Sequence, residues 1–238
     1  MLLEGATQAA NFGDPRACMV GADGAPLLIA EGAFAQTSSE GAAMLARRVA
    51  ELARADRPQR VVELFAGSGT LSVALVRVAE SLVTVEVSPE AAACARENLA
   101  ARTNAPSRST SSSAPASSGG EGPEAPAAGS WKVVVADADA FPIPPHAEVI
   151  VLDPPRTGAP GAARAIAASR AGTVVYVACD PATLARDVAV LTSAGFSLTD
   201  VETFELFPQT SHVEAVVRLA RTRGNRGQGA PRHADPSP

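Results

Sequence analysis

The stretch VVYVACDPATLARD, from Val174 to Asp187, carries an apolar run to Cys179 and begins a helix pattern at once with Asp180-Pro181. A thiol at such a lip is either a small apolar filler or a nucleophile whose pKa a helix N-terminus lowers. Three other groups bear on that choice. Glu63-Leu-Phe-Ala-Gly-Ser-Gly-Thr70 places Gly67 and Gly69 where a backbone can turn tightly and approach a ligand. Glu86 ends the next strand pattern, 17 residues after Gly69, where an acid can accept both ribose hydroxyls of an adenosine cofactor. Ser72 stands where a dinucleotide fingerprint wants Gly or Ala, and no nearby base answers a pyrophosphate, so the pair fits S-adenosylmethionine better than NAD. Asp153-Pro-Pro-Arg156 holds a carboxylate forward on a loop stiffened by two prolines. Phe207-Pro-Gln-Thr-Ser-His-Val-Glu214 puts His212 and Glu214 on one strand face, at a spacing of two.

These groups need a frame. RVVELF (60–65), SLVTVEV (81–87), WKVVVAD (131–137), AEVIVLD (147–153) and GTVVYVA (172–178) are nearly continuous apolar runs, as expected of strands buried on both faces. Helix signals separate most of them. Thr37-x-x-Glu40 has capping-box spacing, followed by Leu45, Val49 and Leu52, while Ser88-Pro89 and Asp180-Pro181 read as N-cap then proline. Leu184, Val188 and Leu191 give the last helix an apolar face. The expected fold is therefore α/β: doubly wound and Rossmann-like, mostly parallel, with the last two segments (FSLTDVETFELF and HVEAVVRL) as an antiparallel hairpin at the sheet edge. In such sheets ligands bind at the carboxyl ends of the strands, which is where Glu86, Asp153 and Cys179 fall.

Composition narrows the function classes. The net charge is −5, and the tail after Ala220 carries four Arg against one Asp, which leaves −8 on the rest. A nucleic-acid footprint must then be local, in the tail, or on another chain. Cys18, Cys94 and Cys179 lie far apart with no CxxC pair, so neither a zinc nor an iron–sulfur centre is expected. Cys18 and Cys94 suit the filler reading. No signal peptide and no membrane-spanning run is visible, and a reducing cytoplasm is expected. Residues 103–130 contain 22 Ala, Ser, Gly or Pro among 28 and read as a disordered insertion, as does the tail 221–238.

The four motifs together resemble the catalytic domain of the RNA uridine-5-methyltransferases, which make 5-methyluridine in tRNA or 23S ribosomal RNA. The resemblance runs from about Phe34 to Leu219 and is most specific in DPPR, CDPATLARD and FPQTSHVE. It implies a class I methyltransferase domain over 34–220 with a seven-stranded sheet, and residues 1–33 as the end of a preceding domain. It implies S-adenosylmethionine contacts at Gln36, Phe65, Thr70, Glu86 and Asp153, with the Gly67–Gly69 turn beneath the cofactor and Asp137 near the adenine. It implies Cys179 as nucleophile and Glu214 as general base. Carbon 5 of uracil is too weak a nucleophile to take a methyl group unaided, so a thiolate must first add to carbon 6 and a carboxylate must later remove the carbon 5 proton. The family has an asparagine where Asp180 stands and another where Ser38 stands, and an acid beside the nucleophile is expected to oppose thiolate formation. Two other readings remain open: a methyltransferase of another substrate, and a non-catalytic cofactor- or RNA-binding remnant.

Overall fold

The computed structural model describes residues 14–33, 38–103, 129–206 and 213–221. Within these, a small antiparallel pair, β1 (Ala17–Val20) and β2 (Pro26–Ile29), precedes the main unit. The main unit then runs α1 (Ser39–Arg54), β3 (Arg60–Leu64), α2 (Ser72–Leu75), β4 (Ser81–Glu86), α3 (Pro89–Thr103) and β5 (Ser130–Val135). It continues β6 (Val149–Leu152), α4 (Pro160–Ala168), β7 (Thr173–Ala178), α5 (Pro181–Ser193), β8 (Phe196–Phe204) and β9 (Glu214–Arg221).

The seven strands of the main sheet lie in the order β5-β4-β3-β6-β7-β9-β8. The first five are mutually parallel, while β9 pairs antiparallel with both β7 and β8. The chain winds outward from β3 through β4 to β5, then returns to β6 on the other side of β3. The β3/β6 junction is thus the switch point, where strand-end loops diverge and leave a crevice.

Period-two alternation explains the continuous apolar runs. Val61, Val149, Val151, Val175 and Val177 pack under α1 and α3, whereas Val62, Leu64, Ile150, Leu152, Val174 and Tyr176 pack under α4 and α5. Both faces are covered, so both phases of the alternation are apolar. β5 departs from this expectation. It is the sheet's outer strand, and of its six residues only Val133 is buried.

Local signals hold with small shifts. Ser38 caps α1 by accepting the Gly41 N–H, so the cap lies one residue beyond Thr37, which is outside the described residues. Ser88 accepts the Ala91 N–H and Asp180 the Thr183 N–H, as the Ser-Pro and Asp-Pro pairs predict. The helix after the glycine turn is a single turn, α2. Thr103 ends α3 and receives the Trp131 indole N–H at 3.0 Å, and Ser130 opens β5. Of the 103–130 segment, Thr103, Gly129 and Ser130 are thus part of the described fold, and 104–128 lie outside the described residues. β9 extends to Arg221, which stacks on Phe196 and donates to carbonyls at the ends of α4 and α5, so the tail begins one residue later than expected. Cys94 is a buried filler, but Cys18 is exposed on β1, against expectation.

Candidate active site

β3 delivers Phe65 to the rim in a left-handed conformation, φ 61°, which is costly for a side chain of that size. Gly67 and Gly69 follow at φ 54° and 90°. A Cβ on Gly69 would lie 3.2 Å from the Ala95 Cα, so glycine here lets the turn close onto α3. Glu86, at the end of β4, accepts the Gly67 N–H at 2.7 Å through Oε2 and the Ser88 N–H at 2.8 Å through Oε1. One carboxylate thus ties the glycine turn to the next strand end, and each of its oxygens retains a further acceptor site. Asn98 of α3 braces the turn from behind. Its amide donates to the Leu28 and Ser68 carbonyls and accepts the Leu28 N–H, which also fastens β2 to the domain.

β6, next to β3, ends in Asp153. Burial and the facing Glu214 carboxylate push its pKa up to about 7. β7, one strand further, ends in Cys179. β9 runs the other way and begins at Glu214, so its start lies on the same rim as the ends of the parallel strands. Ala178 pairs with Ala215, and one further step brings Glu214 opposite Cys179.

One cavity of about 740 Å³ joins these ends. Its lining includes Phe65, Gly67, Thr70, Glu86, Asp137 and Asp153 together with Pro154, Arg156, Cys179 and Glu214. Its volume is that of a site for a cofactor-sized ligand. Of the site residues expected from sequence, the structure brings all but two to this cavity. Gly69 shapes the turn from behind, and Gln36 lies outside the described residues, as does His212.

Two side chains carry more than their sequence positions signalled. Glu63, the last but one residue of β3, is 1% exposed, and burial pushes its pKa up to about 8 despite a hydrogen bond from the Ser72 hydroxyl. Its Oε1 is buried without a partner at the cavity wall. An acid inside an apolar strand was the only available signal. Arg156 sits on the loop after β6, where its charge favours the ionised forms of both Cys179 and Glu214.

The thiol departs from the sequence expectation. Burial raises the Cys179 pKa, Glu214 and then Asp153 raise it further, and Arg156 opposes them. The helix start does not prevail over burial and the nearby carboxylates. The Asp180 carboxyl is held below the usual range, chiefly by the Thr183 N–H that it accepts at 2.8 Å, and is spent on capping the helix.

The cavity is acidic. Among the described residues that line it, seven are Asp or Glu and one is Arg. That set suits a cationic ligand with ribose hydroxyls and does not suit a pyrophosphate.

A switch-point cavity with this strand order defines a class I methyltransferase domain, and solved structures share the fold. The tRNA (uracil-54, C5)-methyltransferase of Pyrococcus abyssi, in complex with S-adenosyl-L-homocysteine, superposes with a TM-score of 0.66 at 23% identity over 92% of this chain and 49% of that one. Residues 144–222 match the model of the tRNA (uracil-5-)-methyltransferase family. An uncharacterised RNA methyltransferase of Gloeobacter violaceus is 34% identical over 89% of this chain and 43% of its own length. The 23S rRNA (uracil(1939)-C(5))-methyltransferase of Chromohalobacter salexigens is 31% identical over 80% of this chain and 35% of its own. The family model and these relatives support the RNA uridine-5-methyltransferase family for the matched domain. The chain spans less than half the length of these relatives.

Among the described residues no helix is long and apolar enough to cross a membrane, and no group of three or more His, Cys, Asp or Glu is placed to hold a metal ion.

Proposed function

We propose that this domain transfers a methyl group from S-adenosylmethionine to carbon 5 of a uridine in tRNA or 23S rRNA, through a covalent bond between Cys179 and carbon 6. The observation that carries this reading is the single cavity joining an acidic cofactor end to a thiol that faces a carboxylate.

Glu86 would hold the ribose hydroxyls, Asp137 the adenine edge, and Asp153 and Glu63 the cationic end, where the unpartnered Glu63 oxygen awaits a donor. When bound, the cofactor supplies a methyl group on a sulfonium sulfur. Pro154 and Phe65 wall the cavity and limit water. The Cys179 proton passes to solvent, Arg156 stabilises the resulting thiolate, and sulfur then bonds to carbon 6. The displaced electron pair makes carbon 5 nucleophilic, and carbon 5 takes the methyl group. Glu214 then accepts the carbon 5 proton, the ring double bond re-forms, and the Cys179 thiolate departs. Burial raises the Glu214 pKa, which makes it a stronger base than a solvent-exposed carboxylate. The base must leave its stack to reach a buried thiol, so an unpaired or flippable uridine is the expected target.

RNA containing 5-fluorouridine lacks the proton that Glu214 must remove, so incubation with the protein and S-adenosylmethionine should leave RNA attached covalently. Cys179→Ala should abolish the attachment. An adduct that survives would sink the nucleophile assignment. Methyl transfer that survives Cys179→Ala and bypasses uridine would point to another substrate.

A further inference from the structure

The DPPR loop has no regular structure, yet it must hold Asp153 and Arg156 in place opposite Cys179. Three residues of α5 grip it. Thr183, Arg186 and Asp187 are spaced i, i+3, i+4 and so share one helix face. The Thr183 hydroxyl lies 3.1 Å from the Arg156 carbonyl, within donating distance. The Arg186 guanidinium donates to the Thr157 carbonyl at 2.9 Å. Asp187, fully buried, accepts the Ala159 N–H at 2.7 Å. The same oxygen accepts the Tyr176 hydroxyl at 2.7 Å, and the other oxygen accepts Arg186 Nε at 2.9 Å. Gly158 lies so close to this face that a Cβ would fall 2.5 Å from Arg186 Nη2 and 2.7 Å from Asp187 Oδ2.

We propose that this face of α5 sets the distance between the loop 153–159 and the nucleophile, and that Arg186 and Asp187 are positioning residues for methyl transfer, an inference that rests on the function proposed above. The logic is mechanical. α5 begins directly after Cys179, capped by Asp180, and Tyr176 anchors Asp187 to the strand that presents the thiol. Nucleophile and clamp therefore belong to one rigid strand–helix unit. The loop that carries Asp153 and Arg156 has no helix or strand of its own to fix it until α4 starts at Pro160. Its three ties to α5 are to backbone groups of residues 156, 157 and 159, which fix the path of the chain rather than any one side chain. Arg186 is 47% exposed, so its ties add little to global stability. Their effect falls on placement, where a shift of about 1 Å can cost on the order of a hundredfold in rate.

The test uses the full chain with Arg186→Ala, Arg186→Lys and Asp187→Asn. Four readouts are needed: the melting temperature, amide hydrogen exchange at residues 157–159, S-adenosylhomocysteine binding by calorimetry, and the rate of adduct formation with saturating 5-fluorouridine RNA and S-adenosylmethionine. Arg186→Ala should melt within about 2 °C of the wild type. It should exchange faster at Gly158 and Ala159, bind S-adenosylhomocysteine within about threefold, and form adduct roughly tenfold more slowly or worse. Arg186→Lys should recover part of that rate. Asp187→Asn should slow the reaction further if it folds, but the outcome is decided by Arg186. An adduct rate within about twofold of the wild type, or a loss that merely tracks the unfolded fraction, overturns the proposal. A wild-type protein that forms no adduct at all fails the uracil reading instead, and the clamp is then judged by exchange alone, where unchanged protection refutes it.

Discussion

Glu214 opens β9 just beyond the Ala178–Ala215 pair, Cys179 follows β7 at the same end, and both line the cavity. The Glu214 charge reaches the sulfur and, after burial, is the chief cause of its raised pKa. The carboxylate that is proposed to take the substrate's proton also holds a proton on the thiol that must first attack.

This coupling predicts the behaviour of Glu214→Gln. The thiol loses its nearest repulsive charge, so its pKa falls and adduct formation should reach its plateau at lower pH than in the wild type. With no proton acceptor, the methylated adduct should then accumulate on natural RNA, read as a shifted band. A plateau displaced to higher pH, or the loss of all adduct, would show that Glu214 acts otherwise. In the wild type the raised thiol pKa implies that log rate climbs with a slope of about one per pH unit from neutral into alkaline solution.

Asp180→Asn should change little. Asn and Asp cap helices about equally well, and the Asp180 carboxylate is already engaged by the Thr183 N–H. Adduct rates and their pH profile are expected within about twofold of the wild type. A large downward shift of the profile would mean that this charge controls the sulfur after all.

Glu63 should leave a signature in stability. Its pKa is about 8 in the folded chain, against the ordinary glutamate value of 4.5. Between those values the folded state binds a proton that the unfolded state has released, so stability falls as pH rises through that window. Asp153, near 7, adds to the same slope. Glu63→Gln removes one titration, and its melting temperature should fall less between about pH 5 and about pH 8 than that of the wild type. An unchanged slope would mean that the carboxyl is ionised in the folded chain.

Asn98→Ala tests the brace behind the glycine turn. It strands the buried Ser68 carbonyl and the half-buried carbonyl and N–H of Leu28. The expected cost is about 2–4 kcal/mol in denaturant unfolding, with weakened S-adenosylhomocysteine binding. A loss below about 1 kcal/mol would show that water replaces the amide.

Sequence by itself determined the frame and which residues stand at the ends of its strands. Apolar runs, caps and the glycine turn are local features, each set by a few neighbouring residues, and they place Phe65, Glu86, Asp153 and Cys179 at strand ends before any fold is drawn. Tertiary structure decided their state. The raised pKa values of Cys179 and Glu63, the unpartnered Glu63 oxygen, the exposed outer strand β5 and the grip of α5 on the DPPR loop depend on what lies across the sheet. Positions 63, 153, 179 and 214 are far apart along the chain, and only the winding of β3, β6, β7 and β9 brings their charges into one low-dielectric cavity. Burial and Coulomb coupling sum over all neighbours in space, so no window of sequence contains them.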